Sequence, residues 1–433
     1  MKYLLPALFA GAVLVCVAVA EYSGSYVVPL DHEAVGYAKA TADDPVARLN
    51  RKLTAAGKLR YEEDFGYLRS TLKALNIPVE SQVLVFSKTS FQAAKISPAM
   101  PRAIYFNDSV SVGYVRGGDV LEVIAVDPKH GAMFYTLDQD PAVKAVFERR
   151  DASCLQCHAS GATAGVPGFV VRSVYPEPNG MPLFQAGSFV TDHRSPFKER
   201  WGGWYVTGNH GDQKHMGNAF VRSREKPDAL DTEGTQNVVH LQKRFDAGAY
   251  LTPHSDIVAL MTLEHQSRIS NVLTRLAYET RMALHSGREI NRILGKPEDE
   301  IGESAERRIG SGVNEAVRYM LFSDESRLTA PVSGTSGFSE IFSAVGPKDP
   351  KGRSLRDFEL KTRMFRYPLS YMIYSESFEA LPVPAKDRLY RKLLNVLSGK
   401  DTGKEWQHLT GEDREAIREI LVATKPQLPA WFR

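Results

Sequence analysis

The spacing of apolar residues changes period twice along the chain. Between residues 31 and 77 it is helical. Asp44-Pro45 offers a helix start, and Leu49 and Leu53 fall on one face. A second helix carries Phe65, Leu68, Leu72 and Leu75 at spacings of three and four, and Pro78 ends it. From residue 82 the pattern becomes strand-like. Short apolar runs at 83–86, 103–106, 111–115, 120–126 and 132–137 are parted by turns such as Arg116-Gly117-Gly118-Asp119 and Asp127-Pro128-Lys129-His130-Gly131. This predicts an antiparallel meander. Strand-like residues 169–174 and 183–190 follow. From about residue 254 the period is helical again. Ser255 or Asp256 is placed to cap a long helix through Ile257, Leu260, Met261, Val272, Leu273 and Leu276. Further helices are expected near 301–322, 369–380, 384–398 and 411–424, the last with Thr410 as its cap and acids in its first turn.

The expected fold class is therefore α+β, an antiparallel sheet region followed by a largely helical C-terminal half. The expected segments are a leader at 1–20, a helical segment at 21–78, a β-rich region at 79–225 and a helical region at 226–433. Residues 191–220 break both periods. They are rich in His, aromatic residues and Gly, the composition of a long loop that carries function.

Residues 1–20 read as a secretory leader. Lys2 starts it, an apolar run follows, and Ala18-Val19-Ala20 fits cleavage after Ala20. Export, to the periplasm in a bacterium, is the expectation, with no transmembrane helix left after cleavage. A retained N-terminal anchor is the alternative, and a lipoprotein through Cys16 fits less well because Val15 is bulky. The remaining composition is ordinary, with 43% hydrophobic and 24% charged residues. A net charge of +3 without like-charge blocks argues against nucleic acid as a partner. Ser70-Thr71-Leu72-Lys73 matches the S-x-x-K of penicillin-recognising serine enzymes, but neither S-D-N nor K-T-G follows.

Once the leader is set aside, Cys154 and Cys157 are the only cysteines, and His158 follows them directly. Two thiols separated by two residues can reach the two vinyl groups of one porphyrin, and the next residue can offer its imidazole to the iron. A thioredoxin-like dithiol, half of a zinc site and a tight disulfide are the competing readings of the cysteine pair. Gly161, Gly165, Pro167 and Gly168 follow too closely for the long helix of a thioredoxin, and His210 and His215 lie far away for a compact zinc finger.

The Cys154-Leu155-Gln156-Cys157-His158 run and the leader resemble the c-type cytochromes of the bacterial periplasm. The whole chain resembles bacterial proteins that contain a cytochrome c domain. The resemblance implies one covalent haem c with its iron, anchored at Cys154 and Cys157 and ligated by His158. It implies electron transfer with redox partner proteins or a small-molecule donor or acceptor. The mid-chain motif beside a sheet departs from the small helical bundle of the family.

A second axial ligand is sought in the 191–220 loop. Met216 or His215 leads, with Gly208, Gly211 and Gly217 allowing close approach, and His193 and His210 are lesser candidates. Trp201 and Trp204 are candidates for haem cover, and Arg194 and Arg200 for the propionates. His265 reads as a satisfied core histidine. The alternative function is a haem-dependent enzyme with an open distal site, peroxidase-like or acting on another small molecule, using His193 and Arg194. Bacterial dihaem peroxidases have two C-x-x-C-H runs, whereas this chain has one. A haem-based sensor is a third class, which no motif supports.

Overall fold

A computed structural model describes residues 26–55 and 57–433. The leader, with Cys16 and the expected cleavage after Ala20, lies outside the described residues. Helices α1 (Pro45–Ala55) and α2 (Leu68–Ala74) precede strands β1 (Val83–Val85), β2 (Arg102–Phe106), β3 (Val110–Tyr114), β4 (Val120–Asp127), β5 (Gly131–Asp138) and β6 (Phe147–Arg149). Helix α3 (Asp151–His158) follows. Then come β7 (Arg172–Val174), β8 (Ser188–Val190), β9 (Trp204–Tyr205), β10 (Phe220–Ser223) and β11 (Lys226–Asp231). The remainder is helical: α4 (Ile257–Leu294), α5 (Glu303–Met320), α6 (Phe338–Ala344), α7 (Glu376–Glu379), α8 (Val383–Leu397) and α9 (Gly411–Thr424).

The chain is α+β. Strands β1 to β6 run as an antiparallel meander, and β9 returns to pair with β1, giving the order β6-β5-β4-β3-β2-β1-β9. Strand alternation gives this sheet two different faces. On one, residues such as Ala103, Tyr105, Val112, Leu121, Val123 and Leu137 pack into a core with Leu68 and Leu72 of α2. The other face points toward α3 and α4.

Helix α4 begins where the sequence placed it. The Asp256 carboxylate accepts the Val258 and Ala259 amides at 2.8 and 3.1 Å, capping the first turn. Its other oxygen accepts the Thr335 and Ser336 amides at 2.6 and 2.9 Å, so one buried side chain also fastens a distant loop. Thr410 caps α9 in a reciprocal box with Asp413.

Three expectations change. The helix expected over 369–380 is a 3-10 turn, Tyr371–Tyr374, followed by the separate short α7. Ser370 caps the first and Ser375 the second, and extended backbone at Ser375 separates them. Of residues 169–174 only Arg172–Val174 form a strand, because the Asn271 side chain takes both the amide and the carbonyl of Phe169. Of residues 183–190 only Ser188–Val190 do, after a 3-10 turn at Phe184–Ala186.

The two large apolar clusters both draw residues from either side of residue 225. One joins Val83, Val85 and Trp204 to Ile257 and Leu260. The other joins Leu121 and Tyr135 to Leu241 and Tyr278. No helix among the described residues is long and apolar enough to cross a membrane.

Candidate functional site

Strand β6 delivers the cysteine motif to the sheet. It pairs with β5, and the Arg150 amide then donates to the Phe134 carbonyl at 2.8 Å, which fixes where α3 starts. Asp151 in the first helical turn meets Arg149 at 2.8 Å. On α3, Cys154, Cys157 and His158 are spaced by three and four and therefore share one face. That face lines a cavity of about 640 Å³ together with the free face of the sheet.

The sheet supplies an apolar floor from Ile104, Ile124 and Phe134. Phe169 and Val171, together with Leu263 of α4 and Trp204 of β9, contribute further apolar lining. The sheet also carries a charged pair. Arg102 on β2 meets Glu122 on β4 at 2.8 Å across Gly113 of β3. A Cβ at Gly113 would lie 2.4 Å from the Arg102 guanidinium, so only glycine allows the two charges to meet over β3. Gln92 donates to the Glu122 carboxylate at 3.0 Å. The Arg102 Nε is buried without a hydrogen-bond partner. Arg150 also lines the cavity, with its Nε donating to the Thr136 hydroxyl at 3.0 Å.

His158 Nδ1 is 2.9 Å from the Gly168 carbonyl oxygen. A carbonyl can only accept, so the proton sits on Nδ1 and the Nε2 lone pair is left bare. Burial holds the imidazole below its usual pKa, which keeps it neutral and able to ligate. The ring also packs against Phe134, 5.1 Å between centroids. Cys154 is half-buried and Cys157 exposed, and both thiols are free. Burial pushes the Cys154 thiol up.

The residues proposed from the 191–220 loop go elsewhere, with one exception. Trp204 lines the cavity, its indole N–H donating to the Arg172 carbonyl at 2.8 Å. Met216 and His215 are buried but do not line it. The Met216 sulfur accepts from the Ser173 hydroxyl at 3.5 Å, and His215 Nδ1 accepts the Gly217 amide at 3.0 Å. Trp201 and His210 enclose the His215 ring at 5.3 and 4.7 Å. Gly217 brings the loop down on Val206, where a Cβ would lie 2.4 Å from the valine methyl. Its glycine freedom thus serves packing against protein. His210 Nε2 accepts the Asn237 amide at 3.0 Å.

His193 is buried with its Nδ1 2.8 Å from that of His265. His265 is a core histidine whose Nε2 meets the Ser370 hydroxyl at 2.8 Å. Arg194 is held by Asp192 at 2.7 Å and Arg200 by Glu264 at 3.1 Å, so both arginines proposed for propionates are engaged by the chain's own carboxylates.

Arg102, Arg150 and Glu122 were missed in the sequence. The signal was there for Glu122. It interrupts the apolar run of β4 at a position whose alternate neighbours, Val120 and Ile124, face the cavity.

No group of three or more His, Cys, Asp or Glu side chains suited to a bare metal ion is found among the described residues. No family model, curated protein or solved structure matches the chain.

Proposed function

We propose that this chain is an exported c-type haem protein, with His158 as the protein ligand of the iron and an accessible opposite face suited to small-molecule redox chemistry. The observation that carries the reading is the convergence of Cys154, Cys157 and His158 on one cavity against an apolar sheet face. The residues fit the group. At about 640 Å³ the space lies within the ~300–1,000 Å³ usual for cofactor sites. A bare metal would need three or four protein donors, whereas a porphyrin brings four nitrogens and asks for one imidazole. The bare Nε2 of His158 answers that need.

When bound, the haem would supply one-electron redox chemistry and a binding position for a small molecule. The chain's own residues do the rest. Cys154 and Cys157 anchor through their sulfurs. The Gly168 carbonyl fixes the tautomer and angle of the His158 ring and raises its basicity. Ile104, Ile124 and Phe134 exclude water from the floor. Arg102 and Arg150 line the cavity, each already paired with a carboxylate of the chain, Glu122 and Glu148 respectively, so they bring charge to its wall without a free fork. His158 is the only histidine lining the cavity among the described residues, and no methionine lines it. That favours a site in which a small molecule would have room beside the cofactor over the doubly held cofactor of an electron shuttle. The shuttle is the second reading because Cys157, one of the two proposed anchors, is exposed, as exchange of electrons with a partner would require. The leader supports the periplasm, where covalent attachment takes place.

Carbon monoxide added to the reduced protein separates the readings. A rapid shift of the Soret band supports the open site. An unchanged low-spin spectrum overturns it in favour of the shuttle.

A further inference from the structure

A second cavity, of about 520 Å³, lies between α4, α5 and the Gly161–Ala164 segment that follows the cysteine motif. Helix α4 is a wall of both cavities, giving Leu263 and Ser267 to the first and Arg268, Val272 and Arg275 to the second. The space exists because α5 presents Ser304, Ser311 and Gly312 there. A Cβ at Gly312 would come within 3.0 Å of the Leu276 methyl.

Four arginines and two glutamates line this cavity, so positive charge is in excess. The pairing is uneven. Glu279 alone serves two guanidiniums, Arg275 at 2.7 Å and Arg308 at 2.5 Å, and it also accepts the Tyr26 hydroxyl. Arg307 turns out to Glu303 at the surface. Arg268 has only a loose ion pair with Glu315. Its side chain is 18% exposed, it makes no hydrogen bond among the described residues, and its Nε is buried without a partner. The closest carboxylate, Glu315, is 3.8 Å away, beyond hydrogen-bonding distance, and is itself substantially exposed. A buried Nε without an acceptor is costly unless something else in the cavity supplies one. Next to it lie Val272 and Leu276, an apolar surface.

We infer that this cavity binds a small organic anion, with a carboxylate or phosphate head on Arg268 and an apolar body against Val272 and Leu276. Guanidinium forks match both heads. The inference is independent of the haem reading, because it uses neither the cysteine motif nor the first cavity.

Calorimetric titration of the protein as purified, whether or not it carries haem, tests it at low ionic strength with octanoate and phenyl phosphate as probes. Saturable one-to-one binding of either is expected, and the tighter probe identifies the head group. Arg268→Gln should weaken binding by about tenfold or more, the loss expected for a charge-assisted contact. Arg268→Lys should recover part of it. Glu315→Gln, on an exposed side chain that should not disturb folding, should strengthen binding by removing the competing carboxylate. Absence of saturable binding for both probes overturns the inference. So does binding that Arg268→Gln leaves unchanged, or that Glu315→Gln weakens.

Discussion

The Nδ1 of His158 lies 2.9 Å from the Gly168 carbonyl oxygen, and the amide of that same peptide unit, the Phe169 N–H, is held by a residue on another helix. Asn271 of α4 brackets Phe169, accepting its amide at 2.9 Å and donating to its carbonyl at 2.8 Å. A Cβ at Gly168 would lie 2.2 Å from the Asn271 side-chain oxygen. Gly168→Ala should therefore push Asn271 away and turn the imidazole. A loss of about 1–3 kcal/mol in urea unfolding is expected, the usual cost of overpacking, with a shifted haem spectrum. Unchanged stability and an unchanged spectrum would remove Gly168 from the account.

Arg102 and Glu122 give a prediction of opposite signs. Both line the cavity, 2.8 Å apart. With the proposed haem in this cavity, reduction would add negative charge at its iron, so Glu122→Gln should raise the midpoint potential and Arg102→Gln should lower it. Spectroelectrochemistry reads both. Shifts in the same direction, or none in either variant, would place the pair away from the haem.

Glu264 sets a pH dependence of stability. It is fully buried, and burial pushes its carboxyl up to about 7 against the pull of Arg200 at 3.1 Å. The folded chain then holds a proton that the unfolded chain releases near the ordinary carboxylate range. Glu264 thus contributes stability that is full below that range and is lost as pH rises to about 7, at most about 1.4 kcal/mol per pH unit. Glu325, also pushed up to about 7 by burial, acts in the same direction. His215 and His265, both held near 3 by burial, act the other way below their ordinary pKa. Glu264→Gln isolates its own share. Across pH 5 to 7, the unfolding free energy of the wild type should fall relative to that of the variant. Parallel profiles would contradict the raised carboxyl.

Met216 sits outside the cavity, with its sulfur on Ser173. Met216→Leu keeps volume and should cost under about 1.5 kcal/mol. The haem spectrum should not move. A change in axial-ligand bands would restore Met216 as the second ligand and close the site proposed as open.

Much of the fold was legible because β1 to β5 and α4 carry unmixed periods and their turns are marked by Gly, Pro and Asp. Strand β9 was not. It is two residues long, Trp204 and Tyr205, behind two glycines, and its pairing depends on which edge of β1 is left free. Helix α3 was not predicted; the motif was legible as residue types at a fixed spacing, and only the helical backbone shows that Cys154, Cys157 and His158 share a face. The placement of the 191–220 loop was not legible. Residue type suggested His215 and Met216, but the direction in which a Gly-rich loop folds is set by its packing partners, here Trp201 and Val206. Arg102 and Glu122 come from strands that are not neighbours, and only the register through Gly113 brings them together.

The central claim is a haem joined to Cys154 and Cys157. It is tested most directly by expressing the chain in a host able to mature c-type cytochromes and mapping the purified protein by peptide mass spectrometry. The account predicts a single peptide spanning residues 154–158 that carries one haem through both sulfurs and keeps its pigment after denaturation. That same peptide recovered with two free thiols, from a colourless protein, would contradict it.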